Sequence, residues 1–274
     1  MVDNMGAKGF GDCLIDIMKE RGIEGLDKII YTKNPDAEIG RMYLDGQEVI
    51  EQRQEGLNTV RIMIQRSELK LDDANRLCDW ADTFGGGEVM FTNRQNAEIH
   101  HVPTANVQPL LDEIHAAGYR TEGHERLPDI VACVGTTECR MAVSDTPRAY
   151  HRLYDEFAAD KNFWEQVGPI RINMNGCPNN CAHAWIADIG LRGRRTRQED
   201  GTSKEGFSVF LGGKLSEAGR VGQLLGDVQA EEVAPFVRAI LEFYLAARTS
   251  PEEHFTDFVT RVSVDAFRAA LKLN

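Results

Sequence analysis

The chain lacks the features that would place it in a membrane, in a secretory pathway or on nucleic acid. No apolar run approaches the roughly 18 residues that a membrane-spanning helix needs. The first residues carry neither the basic region nor the apolar stretch of a secretory signal, so we expect a cytoplasmic protein. A formal net charge of -12 argues against a general nucleic-acid binder.

The remaining composition is that of an ordinary globular protein. Hydrophobic residues make up 42% and charged residues 27% of the 274 positions, which is enough chain for one large domain or two small ones. Six cysteines are present. Without a secretory signal, they indicate a reducing compartment, where thiolates bind metals rather than form disulfides.

Four of these cysteines form two close pairs. Cys133 and Cys139 have a C-x5-C spacing, and Cys177 and Cys181 have a C-x3-C spacing. Four thiolates delivered as two pairs are what a cubane iron–sulfur cluster requires. Tetrahedral zinc also accepts four thiolates, but about two to four residues usually separate its paired ligands, so the wider first gap fits zinc poorly. Buried, inert thiols are the third interpretation.

The cysteine motifs resemble those of the siroheme-dependent nitrite and sulfite reductases. The resemblance rests on Gly-Cys-Pro-Asn-Asn-Cys, on the Ala-Asp-Ile-Gly-Leu-Arg-Gly that follows it, and on the first cysteine pair. It implies that the four cysteines hold a [4Fe-4S] cluster, with Cys181 also bridging to the iron of siroheme. It further implies six-electron reduction of sulfite to sulfide or of nitrite to ammonia, with the electrons delivered singly by the cluster.

Hydrophobic periodicity predicts an α+β protein. The pattern gives residues 1–55 as a helical leader and connector and residues 56–126 as a unit of strand, helix, strand, strand and helix. The resemblance implies that residues 56–126 are a ferredoxin-like unit and that residues 127–274 are a siroheme and 4Fe-4S binding domain, for which we expect a mixed sheet flanked by helices. The predicted elements of the ferredoxin-like unit are strands at Thr59–Gln65, Glu88–Thr92 and Ala97–Val102, and helices at Leu71–Phe84 and Val107–Ala117.

Further elements are predicted in the leader and in the cluster domain. In the leader we expect a helix at Gly11–Arg21, in which Cys13 is a plain packed thiol. The elements predicted for the cluster domain are strands at Ile130–Val134, Ile170–Met174, Trp185–Leu191 and Phe207–Leu211, and helices at Ala142–Phe157, 229–247 and Phe255–Leu271.

Four polar residues match functional positions of the family. Arg94 and Asn96 lie in a Thr-Asn-Arg-Gln-Asn element, which resembles the family's siroheme-contacting segment. Arg61 corresponds to an anion-binding arginine and Arg171 to a basic residue that faces substrate, so the resemblance implies catalytic roles for both. A guanidinium suits cofactor carboxylates and oxyanions because it binds them bidentately. Arg61 and Arg171 could equally be solvated charges on a strand, whereas for Arg94 the resemblance favours the cofactor role over that interpretation.

Two further segments are cofactor-binding candidates. The run Arg192–Arg197 is the most basic stretch of an acidic chain, and we expect a solvated loop there whose Arg192 contacts cofactor. Gly212 and Gly213 precede Lys214, and such a loop lets backbone amides and a lysine charge face an anion. The resemblance places a Gly-Gly loop of this kind beside siroheme.

Departures from the family pattern leave alternatives open. Asp129 stands near a position where the family carries an arginine, and an unpaired carboxylate there would repel an anionic substrate. The chain also has one module where these enzymes commonly have two, so expected partners include an electron donor such as ferredoxin and a second module or a homo-oligomer. Three alternatives are an iron–sulfur electron-transfer subunit without its own siroheme, an oxygen-using enzyme of corrinoid synthesis and a zinc-stapled structural protein.

Overall fold

The computed structural model describes residues 47–197, 201–215 and 219–273. The predicted leader helix at Gly11–Arg21, and Cys13 within it, therefore lie outside the described residues. Within those ranges, every helix is too short or too polar to cross a bilayer.

The first part of the described chain is a four-stranded antiparallel sheet with two helices. Its strand order is β1-β2-β4-β3. The sequence order strand, helix, strand, strand, helix confirms the predicted ferredoxin-like unit, and the edge strand β1 lies in a stretch predicted to be a connector. The elements are β1 Val49–Glu51, β2 Leu57–Ile62, α1 Leu71–Phe84, β3 Val89–Phe91, β4 Ala97–Pro103 and α2 Thr104–Ala116.

This unit has its own hydrophobic core between the helices and one face of the sheet. Leu77 and Trp80 of α1 and Ile114 of α2 are buried against Ile62 and Ile99 of the sheet. The bounds of α1 are those predicted from its periodicity, because a single apolar stripe and the glycines that follow it define the helix.

The second part is a five-stranded mixed sheet with four helices. Its strands lie in chain order, β5-β6-β7-β8-β9; the first three are parallel and the last three antiparallel. The elements are β5 Ile130–Ala132, α3 Thr146–Phe157, α4 Lys161–Val167, β6 Ile172–Asn175, β7 Ile189–Arg197, β8 Ser203–Leu211, β9 Gln223–Gln229, α5 Val233–Ala247 and α6 Phe255–Ala270.

The two faces of this sheet differ in chemistry. Leu191 of β7 and Val209 of β8 belong to the hydrophobic core, where they are buried together with Ile240 of α5 and Phe267 of α6. Since neighbouring residues of a strand point to opposite faces, the alternate positions form a polar face. The residues of that polar face include Asn173, Asn175, Arg192, Arg194, Ser208 and Asp227.

Two predicted elements of this domain are wrong in type or position. The run Arg192–Arg197, predicted to be a solvated loop, is the second half of β7 and pairs with β8 along its whole length. The strand predicted from Trp185 begins only at Ile189, because Ala184–Ile186 form a turn of 3-10 helix. The run contains four arginines, one glycine and one threonine and has no large apolar residue, so a hydrophobic pattern does not mark it as a strand.

Helix α3 begins later than predicted. The expected start was Ala142, but the helix starts at Thr146 because Asp145 caps it. The Asp145 carboxylate accepts a hydrogen bond from the Arg148 amide at 3.0 Å, and Pro147 occupies the first turn. Residues 142–145, which were predicted to be helical, belong instead to the loop after Cys139.

Candidate functional site

The first cysteine of each pair lies at the same edge of the five-stranded sheet. Cys133 directly follows β5, and Cys177 follows β6 with Gly176 between them. The two strands are parallel, so their carboxyl ends meet. The Gly176 amide donates a hydrogen bond to Cys133 Sγ at 3.1 Å, and the Cys133 amide donates to the Met174 carbonyl at 3.1 Å.

The loop that carries the first pair closes against the start of the second. Cys139 is half-buried, and its amide donates to the Gly135 carbonyl at 3.0 Å. The Val143 amide donates to the Gly176 carbonyl at 2.7 Å, and the Thr146 hydroxyl donates to the Cys133 carbonyl at 2.6 Å. Backbone contacts therefore hold Cys133 and Gly176 together from both sides.

Asparagine side chains shape the loop between Cys177 and Cys181. Asn175 Oδ1 accepts a hydrogen bond from the Ala182 amide at 2.6 Å, and Asn175 Nδ2 donates to Asn180 Oδ1 at 3.1 Å. Asn173 Nδ2 donates to the Ala182 carbonyl at 2.8 Å. These bonds fold the loop back over the polar face of the sheet, with Cys177 buried and Cys181 exposed.

Two glycines of β7 let the backbone on either side of this loop approach the strand closely. A Cβ atom at Gly190 would stand 1.9 Å from the Ala184 carbonyl oxygen. A Cβ atom at Gly193 would stand 2.4 Å from the Gly176 carbonyl oxygen. Both distances are far inside van der Waals contact, so only glycine permits the observed approach.

The donor set of the two cysteine loops suits an iron–sulfur cluster. Each loop supplies a pair of thiols, the two loops share hydrogen bonds, and one thiol already accepts an amide N–H, as cluster thiolates do. Among the residues that the structure describes, no three His, Cys, Asp or Glu side chains converge on the position of a single metal ion. A cubane is bound at four separate irons, so its thiolates need not converge on one point.

Arg94 and Asn96 bind Asp129 at the start of β5. Arg94 Nε lies 2.8 Å from Asp129 Oδ2, and Asn96 Nδ2 donates to Asp129 Oδ1 at 2.9 Å. Asp129 is buried, and burial pushes its pKa upward, but the Arg94 charge outweighs this and the pKa lies below its ordinary value. The carboxylate at this position is thus paired, and it ties the ferredoxin-like unit to the cluster domain.

Arg61 and His124 are buried beside this ion pair. Arg61 Nε lies 3.3 Å from Glu98 Oε1, and its Nη1 has no hydrogen-bond partner. His124 is fully buried, and neither ring nitrogen makes a well-formed hydrogen bond. Burial, reinforced by the Arg61 charge, lowers the pKa of His124 to about 4. His124 was missed from the sequence because a lone histidine in a loop carries no signal.

Of the cofactor-binding candidates in the second sheet, only Arg192 lies near the end of the sheet that carries Cys133 and Cys177. It pairs in register with Asn175, the residue that organises the second cysteine loop. Its guanidinium carbon stands 4.9 Å from the centre of the Phe210 ring, a cation–π contact on the polar face.

Arg171 and the glycine loop lie at the opposite edge of the sheet. Arg171 precedes β6, and its amide donates to Asp188 Oδ2 at 2.8 Å. Gly212 follows β8, which runs antiparallel to β7, so the loop stands where the parallel strands begin. A Cβ atom at Gly213 would lie 2.5 Å from the Ala187 carbonyl oxygen, and Lys214 Nζ lies 3.6 Å from Asp257. The glycine loop therefore packs against the segment after Cys181, at the end of the sheet opposite Cys133. The cofactor roles of Gly212, Gly213 and Lys214 and the catalytic role of Arg171 stay predictions.

Comparison with known families matches both parts of the chain. Residues 123–274 match the nitrite and sulphite reductase 4Fe-4S domain, and residues 50–117 match the nitrite/sulfite reductase ferredoxin-like half domain. The chain belongs to the nitrite and sulphite reductase family. The 4Fe-4S match covers all four paired cysteines, and membership of the family implies a [4Fe-4S] cluster and siroheme.

Members of the nitrite and sulphite reductase family resemble the chain over part of their own length. A chloroplastic ferredoxin–nitrite reductase of Arabidopsis thaliana is 33% identical over 69% of this chain and 32% of the relative. Sulfite reductase (ferredoxin) 2 of Mycolicibacterium paratuberculosis is 26% identical over 92% of this chain and 47% of the relative. The chain therefore spans less than half the length of these two relatives.

Solved structures share the fold. The NirA protein of Mycobacterium tuberculosis superposes with a TM-score of 0.73 at 24% identity, over 93% of this chain and 48% of that one. A dissimilatory sulfite reductase I superposes with a TM-score of 0.66 at 14% identity, over 80% of this chain and 69% of that one.

Proposed function

We propose that Cys133, Cys139, Cys177 and Cys181 bind a [4Fe-4S] cluster and that the chain, with siroheme, reduces sulfite to sulfide or nitrite to ammonia. The observation that carries this proposal is the hydrogen bonding between the two cysteine loops at the carboxyl ends of β5 and β6, inside the segment that matches the 4Fe-4S domain. The chain acts as an enzyme by itself, as a homo-oligomer or as a catalytic subunit.

The chain would position the cofactors and balance their charge. The cluster and siroheme supply the single-electron transfers of a multi-electron reduction. The Gly176 amide stabilises negative charge on Cys133 Sγ, and exposure of Cys181 leaves its thiolate open to a second group. Arg192, beside the cysteine edge, is placed to bind a carboxylate of siroheme.

Arg61 and Arg171 are the proposed anion-binding residues. Arg61 is 2% exposed, and its Nε and Nη1 have no hydrogen-bond partner, so it retains capacity to bind an oxyanion. Arg171 is half-buried and directly precedes β6. Because Arg171 lies at the end of the sheet opposite Cys133, we propose Arg61 as the stronger of the two.

The proposed electron donor is a ferredoxin-type protein. Arg195 and Arg197 are exposed in the outer half of β7, although Arg195 also contacts Glu205 at 3.7 Å. Exposed cations favour encounter with an acidic protein, and this stretch is basic in a chain of net charge -12. Relatives named as ferredoxin-dependent reductases support the same class of donor.

The first experiment is an anaerobic visible spectrum of the purified chain, with iron and acid-labile sulfide assays. Cluster iron together with a siroheme Soret and red band supports the reductase, and sulfite and nitrite can then be titrated into the same sample. Cys133→Ser and Cys181→Ser should each lose most of the cluster iron, whereas Cys78→Ser, on the exposed face of α1, should retain it. Zinc in place of iron, or equal iron in all three variants, would overturn the ligand assignment.

A specific observation favours an electron-transfer subunit as the second candidate. Arg94 and Asn96, the residues expected to contact siroheme, have their side chains engaged by Asp129. Cluster iron without siroheme absorption would support this candidate and exclude a stand-alone siroheme enzyme. Adding siroheme to the cluster-loaded chain and removing the unbound excess by gel filtration distinguishes the two, because only the reductase should retain a Soret band.

A further inference from the structure

We propose that Gln95 is a positioning residue that fixes the strand in front of Cys133. Its side chain makes a pair of hydrogen bonds with one backbone unit of β5. Gln95 Nε2 donates to the Ala132 carbonyl at 2.8 Å, and the Ala132 amide donates to Gln95 Oε1 at 3.0 Å. The amide group of Gln95 thereby takes the place of a peptide group from a further strand.

Strand β5 needs such a partner because it is a short edge strand. On its inner side the Cys133 amide bonds to Met174 of β6. In a strand the N–H and C=O groups of successive residues point to opposite sides. Because those of Cys133 face β6, those of the preceding residue, Ala132, face away from β6. Ala132 is 3% exposed, and water therefore cannot serve its amide and carbonyl in place of Gln95.

The backbone at Gln95 has a conformation that glutamine does not favour. Its φ is +66°, in the left-handed region where asparagine or glycine is less strained than glutamine. The turn itself is made by other groups, since the Gln95 amide donates to the Thr92 carbonyl at 3.0 Å and the Asn96 amide to the Thr92 hydroxyl at 3.2 Å. The length of the glutamine side chain is thus what lets it contact Ala132, and the turn does not depend on that side chain.

The consequence concerns the cluster site. Gln95 belongs to the ferredoxin-like unit, and Ala132 immediately precedes Cys133, so this bond pair transmits the position of one unit to the first cysteine of the other. The inference rests on the proposed function in one respect only, namely that Cys133 is a cluster ligand. The bond pair itself is a property of the chain's own backbone and can be measured whether or not siroheme binds.

The test is amide hydrogen exchange of the full chain, purified anaerobically and read by fragment mass spectrometry. Gln95→Asn keeps the amide group and suits the left-handed turn, but it is one methylene shorter and cannot reach Ala132. We expect the exchange rate of the Ala132 amide to rise about tenfold relative to that of the Leu191 amide in the core of β7. A change of this size corresponds to the loss of one buried hydrogen bond. Gln108→Asn, on the exposed face of α2, is the matched control and should change neither amide.

A second variant and a second measurement guard against a general loss of folding. Gln95→Leu fills the same space without polar atoms, so the exchange rate of the Ala132 amide should rise in this variant too. In both Gln95 variants the cluster iron should pass to a chelator faster than in the Gln108→Asn protein. Equal acceleration at Ala132 and Leu191 in both variants would show that Gln95 supports only global stability. Unchanged exchange at Ala132 would overturn the proposal outright. Iron and sulfide content, measured in parallel, report separately on whether the chain holds a cluster at all.

Discussion

At the scale of single residues, the charges between the two sheets are mutually dependent. The Arg94 side chain is 10% exposed and that of Asp129 2% exposed, so neither can be solvated by water if the other is removed. Breaking a buried pair leaves an uncompensated charge, which costs far more than the net contribution of the intact pair. Their contact therefore specifies how the ferredoxin-like unit meets β5.

We expect Asp129→Ala to lower the free energy of unfolding by about 3 to 5 kcal/mol, because it strands the Arg94 charge. Urea denaturation measures this. The double variant Arg94→Leu with Asp129→Leu should recover much of the loss, since it leaves no unpaired charge. A single variant that costs less than the double one would contradict this account of the pair. Glu122→Gln, which breaks an exposed contact with Lys161, is the control and should have little effect.

The second residue-scale prediction concerns acid stability. The pKa of His124 is lowered to about 4 in the folded chain, against about 6.5 when unfolded. As the pH falls from 6.5 to 4, the unfolded chain binds a proton that the folded chain refuses, so folding loses up to about 3 kcal/mol of stability across that window. Above pH 6.5 this contribution is fully retained.

His124→Gln removes this titration, and we expect its unfolding free energy to fall less than that of the parent between pH 6.5 and 4. The difference between the two proteins isolates His124, because the neighbouring Glu125, whose pKa is raised by burial, titrates in both. His151→Gln, on the exposed side of α3, should behave like the parent. Parallel pH curves for parent and His124→Gln would refute the prediction.

At the scale of elements, strand β7 packs closely against the segment that follows the second cysteine loop. Gly190→Ala places a methyl group against the Ala184 carbonyl, a backbone atom that cannot rotate away. We expect it to lower the unfolding free energy by about 1 to 3 kcal/mol, as overpacking does, and to weaken iron retention. Thermal unfolding and an iron assay measure the two effects.

A matched substitution separates the loop contact from the general effect of alanine in a strand. Gly226 lies in β9, and a Cβ atom there would meet Leu273 at 3.6 Å, an ordinary contact. Gly226→Ala should therefore leave stability and iron content near those of the parent. Equal loss in both variants would mean that strand geometry, rather than the loop, is responsible.

At the scale of the whole molecule, β3 is an exposed edge of the first sheet. Among the described strands it pairs only with β4, and its Met90 and Phe91 are 49% and 67% exposed. Exposed apolar edges promote pairing with another chain. This exposed edge is where the proposed homo-oligomer can be tested.

If copies of the chain pair through this edge, Phe91→Lys should lower the molar mass in solution, because a charge on the edge opposes strand pairing. Light scattering after size-exclusion chromatography measures this. Leu71→Lys, which changes an exposed residue at the start of α1, is the matched control and should leave the mass unchanged. A parent chain that is monomeric at all concentrations would exclude the self-association.

The sequence by itself determined the chemistry and most of the element types. The spacing of the four cysteines indicates the cofactor because ligand identity and local spacing are properties of a short stretch of chain. The single apolar stripe of α1 likewise determines a helix with the bounds that the structure shows.

Only the tertiary structure decided which residues meet. The pairing of Arg94 with Asp129, the double hydrogen bond from Gln95 to Ala132 and the burial of His124 join positions far apart in sequence. No local pattern marks them, because the free energy of each depends on exclusion of water by neighbours brought together through folding. The same holds for the outer half of β7, whose arginines resemble a solvated loop until β8 pairs with it.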